Sequence, residues 1–166
     1  MPKKKEKKKK SKDSVNPVND LREFFFNLDP KSLDLYPTED LPRVWGFMME
    51  IYLSQTWVDL ICIADGTVSI YTGFGGGLIG AGEHLSVRNA ARACLKKAEE
   101  VLDHFKNFDP SHIQDEETIK FHILTYNGIR SDEANTDNVI NNDHYLSELH
   151  NYAQNVITEV RLVETS

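Results

Sequence analysis

Residues 72–84 read TGFGGGLIGAGEH, which places six of the chain's nine glycines in thirteen positions and ends them on a carboxylate and an imidazole. Three chemistries are conceivable for such a stretch. Gly75-x-Gly77-x-x-Gly80 spells the dinucleotide fingerprint, in which a strand turns directly into a helix whose free N–H groups meet a pyrophosphate. Gly77 and Gly82 carry the glycine spacing of a phosphate loop. Glu83 and His84 are an acid–base pair, the histidine able to shuttle protons near neutral pH and the carboxylate able to orient it.

The spacing argues against the first two. The segment before the glycines reads as the third strand of an antiparallel meander and not as the first strand of a βαβ unit. Residues 81–86 separate Gly80 from the next helix, and the acidic residues further on, Glu99, Glu100 and Asp103, are helical. Glu83 and His84 also stand where a phosphate loop needs lysine and a hydroxyl residue. The loop is therefore expected to be a strand-to-helix connector with positive-φ turns tucked against backbone. The functional alternative is a flap or backbone nest made of Gly75, Gly76, Gly77, Gly80 and Gly82, with Glu83 and His84 beside it, binding a small anion or a peptide. Glu83 and His84 have their own plainer role as complements to the positive end of the following helix.

Other reactive residues are scattered. His104, His112, His122, His144 and His150 form no close pair or triad of the zinc type, so no metal is expected. His122 alternates with apolar neighbours and reads as a hydrogen-bonded sheet residue. There is no Gly-x-Ser-x-Gly elbow. Cys62 and Cys94 lie in apolar periodic segments, which suits buried free thiols. Residues 132–138 are rich in oxygen ligands but lack the glycine and terminal glutamate of a calcium loop, and read as a solvated turn. No cofactor is implied.

Charge divides the chain. The first twelve residues carry eight lysines and one glutamate, +7 in total, against a net charge of −7 for all 166, so the remainder carries −14. Such an arm can attract nucleic acid or anionic lipid, yet the acidic body shows no basic stripe with interleaved aromatics. No apolar run approaches the roughly 20 residues of a membrane span, and no secretory signal follows the lysines. A cytoplasmic location is expected. Phe24, Phe25 and Phe26 cannot all face one core, which makes their helix a candidate partner surface or self-association site.

The elements that must position these residues follow from periodicity. Residues 1–14 hold no apolar core and are expected to be disordered; residues 15–166 form a single α+β domain. Asn16-Pro17 starts a helix that Asp29-Pro30 stops. Trp45, Phe47, Met49, Ile51 and Leu53 alternate along one face of a strand, with Val44, Gly46, Met48, Glu50 and Tyr52 on the other. Residues 57–64 form a second strand, Asp65-Gly66 a hairpin turn and residues 67–72 a third strand. Ser86 is placed to cap a helix with the apolar stripe Val87, Ala90, Ala91, Cys94, Ala98, Val101, Leu102 and Phe105. Residues 119–126 and 129–134 form a hairpin about Asn127-Gly128, its second strand short and polar as an edge strand should be. Residues 135–143 are loop and residues 144–162 the last helix. The expected fold is α+β, a five-stranded, mainly antiparallel sheet with flanking helices.

The run ADGTVSIY from Ala64, GGGLIGAGEH from Gly75 and VRNAA from Val87 resembles a group of small uncharacterised bacterial proteins. The likeness continues through FHILTY from Phe121 and Val156-Ile-Thr158, covering about residues 43–162. The group has no established activity, so the resemblance implies no catalytic residue. The order of strands and helices is also similar, more distantly, to Roadblock and profilin-like sandwiches, which implies a scaffolding or regulatory module. One strand of those folds has no counterpart in this reading, and topology alone is a poor guide to function.

The sequence therefore points first to a non-catalytic interaction or regulatory module with a protein partner or a second copy of itself. A small-ligand or hydrolytic protein using Gly75–Gly82, Glu83 and His84 is the alternative. Small size and acidity also admit a toxin-neutralising, immunity-type protein.

Overall fold

A computed structural model describes residues 17–73, 77–111 and 115–165. The expected lysine arm, and Gly75, Gly76 and His112, lie outside the described residues. In order the chain forms α1 (Pro17–Phe26), β1 (Val44–Leu53), β2 (Thr56–Ile63), β3 (Val68–Thr72), β4 (Gly77–Ile79), α2 (Leu85–Val101), β5 (Lys106–Asn107), β6 (Thr118–Thr125), β7 (Gly128–Asn135), α3 (Thr136–Ile140) and α4 (Ser147–Glu164). The fold is α+β with an antiparallel sheet and flanking helices. The sheet has more than the expected five strands: its order is β4-β3-β2-β1-β6-β7-β5, every neighbouring pair antiparallel. The two additional strands are the short outermost ones. β4 comes from the glycine stretch and β5 from two polar residues shortly after α2, so neither carries an alternating apolar signal.

The meander follows its turn chemistry. Ser54 and Gln55 both adopt positive φ, +50° and +66°, and close the first hairpin; Gly66, at φ +96°, closes the second. Paired positive-φ residues match the right-handed twist of the strands they join. Next to β1's start the register against β6 shifts between Val44 and Gly46. A bulge of this kind moves side chains to the opposite face. Val44 therefore packs with Phe47, Met49 and Ile51, while Trp45 packs on the other side with Met48. The expected assignment of Trp45 and Val44 is thus reversed.

The two sheet faces differ. One is covered by α2 and α4, whose buried stripes (Val87, Ala91, Cys94 and Ala98; Leu149, Ala153, Val156 and Val160) meet Phe47, Leu60, Cys62, Phe121 and Ile123. Cys62 and Cys94 are free and buried there, and burial, with the neighbouring Cys62 thiol, pushes the Cys94 thiol up. On the opposite face α1 lays Phe25 onto Trp45, Met48, Ile61, Ile63 and Leu124.

Three further expectations are corrected. α2 begins at Leu85 with His84 as its N-terminal flank, because a 3-10 turn over Ala81–Glu83 sets its start; Ser86 lies inside the helix and does not cap it. Residues 136–140 form α3, not loop, because the Asn135 side chain accepts from the N–H groups of Asp137 and Asn138. β7 is eight residues long and has β5 on its outer side. Its polarity has another cause, described next.

Candidate functional site

The site begins with two rows of cross-strand neighbours on the α1 face. Pairing places Asp59 opposite Tyr71 and Glu50, Glu50 opposite Lys120, and Lys120 opposite Glu133. One step along, Met48 is opposite His122, His122 opposite Ser131, and Ser131 opposite Lys106. Side chains opposite one another in an antiparallel pair share a face and touch. Six strands thus bring together residues, Glu50 and Glu133 among them, that are up to 83 positions apart in the chain.

Burial makes the cluster unusual. Glu50 and Asp59 are wholly buried, and Lys120 and His122 are 3% exposed. Charged groups are seldom removed from water in this way unless paired. Arg22 of α1 supplies one partner, its Nε 2.6 Å from Glu50 Oε1, with the guanidinium over the Phe26 ring. His122 Nε2 lies 2.7 Å from Glu50 Oε2, and His122 Nδ1 lies 2.7 Å from Ser131 Oγ. With Glu50 a carboxylate ion-paired to Arg22, one tautomer satisfies both imidazole contacts. Nε2–H donates to Glu50, and the Ser131 hydroxyl donates to Nδ1. The rings of Phe26 and Phe108 close on the imidazole edge-on.

Each pKa shift has a physical cause. Burial lowers that of His122; Arg22 and Lys120 push in the same direction, while the hydrogen bond and charge of Glu50 hold it up. Burial also lowers that of Lys120, opposed by Glu133 and Glu50. Asp59 is pushed up to about 8 by burial and then by the Glu50 charge, with Arg22 partly offsetting both. No side-chain partner reaches either Asp59 oxygen among the described residues. Two carboxylates opposite each other in a dry sheet face are compatible when one keeps its proton.

Beside the cluster is a cavity of about 190 Å³ bounded by Arg22, Lys106, Phe108, Lys120, Ser131 and Glu133, with His122 in its wall. That accounts for part of the polarity of β7: its half-buried residues Ser131, Asp132 and Glu133 border a cavity. Among the described residues no three histidine, cysteine, aspartate or glutamate side chains converge as a metal site.

The sequence-predicted residues lie elsewhere. Gly80 has φ +86°, and Gly82 is buried against the β2–β3 turn, where a Cβ would stand 1.7 Å from the Gly66 carbonyl oxygen. Arg88 Nε then donates to the Gly82 carbonyl at 3.0 Å. Gly77 pairs with Tyr71 in β4. Glu83 and His84 are exposed and neither borders the cavity. Of the three phenylalanines, Phe25 is fully buried, Phe26 packs on His122 and Phe108, and Phe24 projects outward at 63% exposure.

Sequence reasoning passed over Glu50, Asp59, Lys120 and Ser131 and read His122 as a sheet residue. A signal existed: Glu50, Asp59, Lys120 and His122 interrupt strands that are otherwise apolar on both faces. No helix among the described residues is long and apolar enough to cross a membrane. Compared with protein-family models, curated proteins and solved structures, the chain matches none.

Proposed function

We propose that this chain is a small-ligand-binding protein whose site is the cavity under α1. The carrying observation is that four ionisable residues, each at most 3% exposed, sit on one sheet face, and that two of them, Lys120 and His122, line that cavity. Burying such groups costs more than hydrophobic residues of the same volume would. Clusters with shifted pKa values beside a cleft are a feature of functional sites. At about 190 Å³ the space falls below the roughly 300 Å³ at which drug-sized pockets begin, which suits a short polar compound. Lys106, Lys120 and Arg22 offer donors to carboxylate or carbonyl oxygens, Asp109, Asp132 and Glu133 share the lining as acceptors, and Phe108 can meet an apolar part.

Thermal unfolding in the presence of short-chain carboxylic acids and their methyl esters tests this. A true ligand at one hundred times its Kd stabilises the fold by about 2.7 kcal/mol, and Lys120→Met is expected to remove the response. A panel with no response, or an equal response from Lys120→Met, overturns the reading.

A second reading, an interaction or regulatory module, is supported by Phe24. A large aromatic 63% exposed beside two packed ones suits a contact with a partner protein or a second copy. Light scattering on the full chain and on Phe24→Ser distinguishes self-association from a monomer.

A further inference from the structure

Resting on the ligand reading, we propose that the cavity hydrolyses small carboxylic esters, with Ser131 as nucleophile, His122 as general base and Glu50 positioning the imidazole. Three observations carry this. Ser131 Oγ is 2.7 Å from His122 Nδ1, within the reach a base needs to take the hydroxyl proton. The other ring nitrogen is 2.7 Å from the Glu50 carboxylate, itself fixed by Arg22 at 2.6 Å. A nucleophile, a base and an orienting acid are thus connected in series. Ser131 and His122 both border the cavity, together with Lys120. The ring nitrogens are used in the reverse order from serine proteases, where Nε2 faces the serine; either nitrogen can accept the proton when the other donates to a carboxylate.

The chemistry balances with water as co-reactant. Ser131 Oγ attacks the ester carbonyl carbon as its proton passes to His122 Nδ1, and the carbonyl oxygen takes up negative charge facing Lys120. The carbon–alkoxy bond then breaks, and the leaving alcohol receives the proton from His122. The acyl group remains on Ser131 Oγ. Water attacks that acyl carbon, gives a proton to His122, and the bond to Oγ breaks. Oγ recovers its proton and a carboxylic acid leaves. Lys120, which borders the cavity with Ser131 and His122, is the donor offered to the oxyanion during reaction.

The test uses the full chain, p-nitrophenyl acetate for turnover and a fluorophosphonate for covalent labelling, read by peptide mass mapping. The lysine-rich N-terminus acquires acetyl groups stoichiometrically but does not turn over, so sustained nitrophenolate release separates catalysis from that background. Wild type is expected to turn over and to carry the phosphonyl group on Ser131. Ser131→Ala should lower turnover at least about a hundredfold and abolish labelling, while Ser131→Cys should restore an acyl adduct at residue 131. Glu50→Gln should reduce kcat and move the acid limb of the rate profile to lower pH, because the imidazole loses the carboxylate that holds its pKa up; a merely structural role would leave that limb in place. Turnover unaffected by Ser131→Ala, or labelling confined to other residues, overturns the proposal. Thermal stabilisation by the short acids without any turnover overturns hydrolysis and leaves ligand binding standing. Absence of both removes both.

Discussion

The two faces of one sheet are built on opposite principles. Beneath α2 and α4 the strands present Phe47, Met49, Ile51, Leu60, Phe121 and Ile123, all fully buried. Beneath α1 the same strands also present Glu50, Asp59, Lys120 and His122, buried nearly as completely. Apolar burial contributes about 25 cal/mol per Å² removed from water, whereas a buried charge must recover its lost hydration from partners. The α2–α4 face therefore supplies stability throughout, whereas the α1 face sets an apolar patch of Trp45, Met48, Ile61, Ile63 and Leu124 beside a polar one that consumes part of it. The polar side chains reach the second face because strand residues alternate, so β1, β2 and β6 can serve both roles without a change of backbone.

Truncation on the helix face sharpens the contrast most. Phe121→Ala removes a fully buried ring that lies 6.2 Å from the Phe47 ring, centroid to centroid, and should destabilise the fold by about 3–5 kcal/mol in chemical denaturation. An equal or smaller loss than from cavity-face substitutions would break the assignment of stability to that face.

On the α1 face the expected sign is opposite. Asp59→Val deletes a buried carboxyl with no hydrogen-bond partner and should raise stability at pH 8 by about 1–4 kcal/mol. The pH dependence follows from protons. Folded Asp59 keeps its proton up to about pH 8, while the unfolded residue loses it near pH 4. Between those values the folded state binds the additional proton, so stability from this group falls as pH rises and levels off above about 8. His122 acts oppositely below about pH 6.5: its lowered pKa leaves the folded ring neutral while the unfolded ring protonates, so stability from that group is lost as pH falls. Denaturation midpoints between pH 6.5 and 8 isolate Asp59; wild type should decline there and Asp59→Val should not. A parallel decline in both would break the assignment.

The smallest effect is expected at the outward surface of α1. Phe24→Ser should alter stability by less than about 0.5 kcal/mol, since its ring is mostly in solvent. A large loss would mean that α1 is seated differently on the polar face.

Periodicity and turn chemistry made much of the fold legible. Alternation in residues 44–53, Asp65-Gly66 and the apolar stripe of residues 87–102 depend on neighbours within a few positions, which is the range over which such patterns act. The short strands Gly77–Ile79 and Lys106–Asn107 were not legible, because their pairing to β3 and β7 is set by the sheet that already exists. The site was less legible still. Glycines clustered in sequence drew attention to residues 75–84, whereas Gly82 owes its identity to a backbone approach by Gly66. Glu50 and His122 are 72 positions apart, and nothing local distinguishes either from an isolated polar residue in a strand.

The sequence by itself determined an α+β chain with an antiparallel meander, two amphipathic helices and a glycine-rich connector, because local periodicity reports which side of an element avoids water. Only the tertiary structure decided which polar residues meet. Strand order and register place Glu50 between Asp59 and Lys120, and Ser131 opposite His122, and α1 brings Arg22 over them. A shift of one residue in any of these pairings would send the same side chains to the other face, and the hydrogen-bonded series from Glu50 to Ser131 would not exist.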